Sequence, residues 1–109
     1  MARKSTSRQD SVEAIGNRLQ LIRLAYNALH APTREISQAE FARSCEINPP
    51  AWNNFETGDN RIGIDSAIKV ARKTGASLDF IYLDGRSGMP HALAIEIEKL
   101  ERAKIARRA

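Results

Sequence analysis

Apolar positions recur along the chain at spacings of three and four, and this pattern predicts an all-α fold. The first run is Val12, Ile15, Leu19, Ile22, Tyr26 and Leu29. Asp10, with Glu13 three residues on, is its expected cap. Pro32 disfavours helix at Ala31, so the run should stop near His30. Ser37 and Glu40 have the capping-box spacing and predict a second helix with Phe41, Ala42 and Cys45 on its apolar face. Asn48 is a good N-cap, Pro49 suits the first helical position, and Gly58 suits a left-handed stop, so a third helix should lie between them.

At about 100° per residue, the third helix divides cleanly. Trp52 and Phe55 point one way, with Glu56 beside them, and need a core. Pro50, Asn53, Asn54 and Thr57 point the other way. A solvated face normally carries Lys and Glu, yet this one is small, polar and uncharged. Such a surface suits a DNA major groove, where Asn can bond adenine N6 and N7 together.

Ile64 or Asp65 should open a fourth helix, with Ala67, Ile68, Val70 and Ala71 inward and Gly75 as its stop. Ser77 is expected to cap a short fifth helix whose Leu78, Ile81 and Tyr82 complete the core, and Asp84-Gly85 a turn. Pro90 to Arg108 predicts a further helix with an apolar stripe of Leu93, Ile97, Leu100 and Ala103. That stripe is available to dock back, to dimerise or to bind another protein. Its last turns, Lys104 to Arg108, are too basic to bury and are expected to fray.

The order Gln38-Ala39-Glu40-Phe41-Ala42, then Phe55-Glu56-Thr57-Gly58, then Ser77-Leu78-Asp79 resembles the Cro/repressor-type (XRE-type) helix-turn-helix family. Leu19, Arg23, Ile47, Asn48, Trp52, Ala67, Ala71, Gly75 and Ile81 extend the likeness over roughly 19–85. The resemblance implies a five-helix repressor-like domain over 11–85, with a basic, disordered tail at 1–10 and an additional C-terminal helix and basic tail at 86–109. It implies that Arg23 pairs with Glu56 beneath the reading helix, and that Gln38 bonds a backbone phosphate. Pro50, Ala51, Asn53 and Asn54 would face base edges, and Thr57, Asn60 and Arg61 the backbone beyond. The implied function is a sequence-specific DNA-binding transcriptional regulator, a homodimeric repressor on a two-fold symmetric site. The alternative is an antitoxin-type module that holds a toxin partner through the last helix and represses its own operon.

Three departures from the family pattern matter. Fourteen residues separate Arg23 from Gln38, which calls for both a longer first helix and a larger loop. Proline at 49 and 50 cannot donate, so early-turn readout is limited to apolar contact and specificity rests on Asn53 and Asn54. Glu46 stands where the family often has glycine; either the turn is regular here or a positive φ costs about 1 kcal/mol or more.

The net charge of +4 over 109 residues is uneven. Residues 1–10 carry +2, residues 99–109 carry +4, and the body between them carries −2. Basic ends can supply sequence-independent phosphate attraction that weakens with salt, or can simply aid solubility. One cysteine makes no internal disulfide, which fits a reducing cytoplasm. No apolar run reads as a signal peptide or a membrane span. His30 and His91 stand apart, without acidic neighbours at ligand spacing, and Cys45 falls on a buried face. The residues call for no enzyme, no metal and no cofactor.

Overall fold

A computed structural model describes residues 8–108 of the chain. Among them it is all-helical: α1 Val12–His30, α2 Gln38–Ser44, α3 Pro49–Thr57, α4 Ile64–Thr74, α5 Leu78–Leu83 and α6 His91–Arg108. None of these helices is long and apolar enough to cross a membrane. The expected disorder of residues 1–7 lies outside the described residues. Residues 8–10, expected to belong to that tail, are instead tied to the helices, as the hydrogen bonds below show.

Side chains capping backbone N–H groups at a spacing of three start four of the helices. Ser37, Asn48 and Ser77 each accept from the N–H three residues on, as expected. The cap of α1 is Ser11, which accepts from Ala14, rather than Asp10. Asp10 is drawn away by Arg8, whose Nε donates to its carboxylate at 3.1 Å. The guanidinium holds that carboxyl below the usual range. The long interval before Gln38 resolves as both an extended α1 and a loop at 31–37. Asn27 ties that loop down, donating to Ala31 and Arg34 carbonyls and accepting from the Ile36 N–H at 2.6 Å.

Helix α1 is the central strut. It packs against α3, α5 and α6. The core between the helices holds Leu19, Ile22, Phe41, Trp52, Val70, Phe80 and Ile81, all fully buried. The approach of α1 to α3 requires Gly16: a Cβ there would lie 2.6 Å from the Glu56 carbonyl oxygen and 2.8 Å from that of Phe55. The open question of α6 is answered by its docking on α1. Leu93 and Ile97 join the same core, Leu100 is half-buried, and Ala103 is exposed rather than part of the stripe. The helix extends to Arg108.

Two further expectations need correction. In α5 the deeply buried ring is Phe80, whereas Tyr82 is half-buried and its hydroxyl donates to the Ile62 carbonyl at 2.8 Å. In α4 the inward residues are Ala67 and Val70; Ile68 and Ala71 are only half-buried.

Candidate nucleic-acid interface

Helix α3 is built for rigidity on one side and openness on the other. Asn48 Oδ1 accepts from the Ala51 N–H at 3.2 Å, and Pro49 leaves no donor wasted in the first turn. Gly58, at φ 84°, ends the helix in the left-handed region, where a side chain would be strained. Between α2 and α3, Glu46 does adopt a positive φ, 62°. Its carbonyl accepts from Lys69 Nζ at 3.0 Å, which pins the strained turn to α4.

Trp52 fills the inward side, fully buried, with Phe41 and Phe55 rings 5.2 and 6.5 Å away. Phe55 itself is half-buried. The Glu56 carboxylate, 4% exposed, receives four donors. Arg23 Nε and Nη2 donate to its two oxygens at 2.6 and 3.0 Å. Trp52 Nε1 donates at 2.6 Å and Gln38 Nε2 at 2.9 Å. A buried carboxylate is tolerable only when its lone pairs are filled and its charge is matched. Here α1, α2 and α3 meet on one such group.

The outward side is different. Pro50, Asn53 and Thr57 are exposed, and Ala51 and Asn54 are half-buried. Among the described residues, neither Asn53 nor Asn54 has its side-chain amide in a hydrogen bond. The Asn54 carbonyl is occupied, accepting from the N–H groups of Asp59 and Asn60 at 3.0 and 3.1 Å, so it shapes the loop after the helix.

The flanking candidates are partly committed elsewhere. Gln38 is half-buried and oriented by Glu56, with its amide oxygen still available. Thr57 Oγ1 is committed within its own turn, its one proton lying between two acceptors, Asn54 O at 3.2 Å and Asp59 Oδ2 at 3.0 Å. Arg61 Nη1 donates to the Asp10 carbonyl at 2.6 Å, which ties the N-terminal segment to the loop after α3. Asn60 is exposed. Arg34, upstream, forms an exposed ion pair with Glu40 at 2.7 Å. The structure thus brings Arg23, Gln38 and Glu56 together behind α3, leaves Pro50, Asn53 and Thr57 open in front, and holds Arg61 at the side.

Residues 34–65 carry three arginines against six carboxylates, so α2 and α3 themselves lack the positive charge that a phosphate backbone attracts. That charge lies on the outer side of α4, as Lys69, Arg72 and Lys73, and at the chain ends. Cys45 is buried, and burial pushes its thiol up, away from thiolate reactivity. No cluster of metal-binding side chains occurs among the described residues.

Two residues that matter here carry no weight in the sequence pattern. Gly16 lies on the same side of α1 as Leu19 and Arg23, and a glycine inside an apolar stripe is the signal of close backbone approach. Arg18 is 4% exposed although it is a lone cation, and nothing in its spacing marks it. Comparison of the chain with known protein families, characterised proteins and solved structures finds no match.

Proposed function

We propose that this protein is a sequence-specific DNA-binding transcriptional regulator, with α2 and α3 as a helix-turn-helix unit and α3 as the reading helix of a homodimer. The observation that carries the reading is the two-sidedness of α3: Trp52 and Glu56 lock one side, while the opposite side presents free amides and no charge. Asn53 and Asn54 read base edges, and Gln38, steadied by Glu56, meets a phosphate. Because α2 and α3 together are acidic, general attraction to the backbone comes from the basic chain ends. Binding is therefore steeply salt-dependent.

The antitoxin reading needed the last helix as a free docking element. Leu93 and Ile97 are buried in the common core, which favours the plain regulator. Selection of binding sites from a random DNA pool tests the proposal, with the mass of the complex measured alongside. A two-fold symmetric consensus bound by two copies is expected. An unenriched pool at low salt would overturn it.

A further inference from the structure

We propose that the groove between α1 and the C-terminal half of α6 binds a small organic anion, a carboxylate carried on an apolar body, with Arg18 as its charge partner. The cavity there is about 550 Å³. Small-molecule sites usually fall in this range and combine apolar walls with a few placed polar groups. Ala14, Leu21 and Ile105 supply the apolar wall, and Arg18, Arg102 and Lys104 the positive charge.

Counting Arg86, four cations and three carboxylates line the groove, a balance of +1. Asp84 and Glu101 are both held by Arg86, at 2.9 and 2.8 Å. Glu98 stands exposed at the rim. Arg18 is different from its neighbours. It is buried, and among the described residues no carboxylate forms an ion pair with it. Its head is held by neutral oxygens only: Nε donates to the Ile81 carbonyl at 3.1 Å, Nη1 to Gln9 Oε1 at 3.3 Å, and Nη2 to the Gln9 carbonyl. Burial pulls its guanidinium below the ordinary value, and the charge of Asp84 offsets only part of this.

A buried cation matched only by neutral acceptors favours replacing them with an anion, because charge-assisted hydrogen bonds are roughly twice as strong. Ile81 is fixed in α5, but Gln9 precedes the cap of α1 and is exposed. Gln9 is therefore the exchangeable cover, and a carboxylate takes its place on the two Nη atoms. Displacing Gln9 also moves Asp10, whose carbonyl holds Arg61. Release of Arg61 toward a phosphate rests on the DNA-binding reading; occupation of the groove does not.

The test is a titration of the full-length, ¹⁵N-labelled chain with benzoate, and separately with benzamide as the uncharged match, without DNA. Benzoate should give saturable shifts at the amides of Gln9 and Asn17 and at the Arg18 Nε–H, and benzamide should give none. Gln9→Ala removes the competing cover and should tighten benzoate binding about threefold or more, as expected when the binding-competent state becomes more populated. The paired change Arg102→Gln with Lys104→Gln, both exposed, should weaken it without altering the rest of the spectrum. Equal responses to benzoate and benzamide would overturn the site, as would unsaturable shifts spread over Lys69 to Lys73, or a Gln9→Ala affinity equal to that of the parent. Loss of operator binding would alter none of these outcomes.

Discussion

Gly16 and Glu56 face each other across the α1–α3 contact so closely that one methyl group on the glycine would press into the glutamate's carbonyl oxygen. The oxygen belongs to the backbone of α3, so relief requires the helices to part. Alanine is worth roughly 0.5–1 kcal/mol over glycine inside a helix, whereas overpacking costs typically 1–3 kcal/mol. Gly16→Ala should therefore destabilise the fold by about 1–2 kcal/mol in urea unfolding. A more stable variant would show that the helices separate without cost.

Glu56 neutralises Arg23 in a site where both side chains are at most 10% exposed. Removing one partner of a buried pair typically costs about 3–5 kcal/mol, because the other charge is left unmatched. Glu56→Ala should unfold much of the protein at room temperature, while Arg23→Met combined with Glu56→Leu should recover most of the loss. Equal destabilisation by the single and the double change would argue that the four hydrogen bonds, not the charge match, hold the contact.

Asn53→Ala should leave stability within about 0.5 kcal/mol, the usual range for exposed positions, and Asn54→Ala, half-buried but with no side-chain hydrogen bond to lose, should change it little. On DNA each should lose roughly 1–3 kcal/mol of discrimination at one or two base pairs. Gln38→Ala should weaken all sequences alike, since phosphate contacts carry no base information. A binding-site preference unchanged by either asparagine variant would move the reading face elsewhere.

The proposed homodimer would require an apolar contact, and Ile64 and Leu83 are 54% and 61% exposed. Tyr82, whose hydroxyl donates to the Ile62 carbonyl at 2.8 Å, ties the end of α5 to the loop before α4. Leu83→Glu should shift the protein to a monomer in sedimentation and leave its circular dichroism unchanged. An unaltered dimer mass would place the interface on another surface.

Glu46 pays for its left-handed conformation, about 1 kcal/mol for a residue with a Cβ. Glu46→Gly should raise the urea midpoint, with a gain below about 1 kcal/mol because glycine also loses more freedom on folding. A loss of stability would mean that the glutamate side chain contributes more than its backbone costs.

The caps were legible because Ser37, Asn48 and Ser77 act on N–H groups three residues away, a local interaction set by spacing alone. Where two capping residues stand side by side, as Asp10 and Ser11 do, the choice depended on Arg8, which the capping pattern does not weigh. The two sides of α3 were legible for the same local reason, since helical period separates Trp52 from Asn53. The exchange of Phe80 for Tyr82 was not, because six residues make too short a helix for period to decide. The seat of α6 and the burial of Arg18 depend on contacts with residues far along the chain, which no local pattern encodes.

Arg23 and Gln38 reach α3 from behind and converge, together with the helix's own Trp52, on a single carboxylate. The side chains of Pro50, Asn53 and Asn54 on its forward side take no part in that brace. On the proposed DNA-binding reading, new side chains at 50, 53 and 54 should re-address the protein to another site while the scaffold stays intact, so copies with new targets could arise by a handful of codon changes.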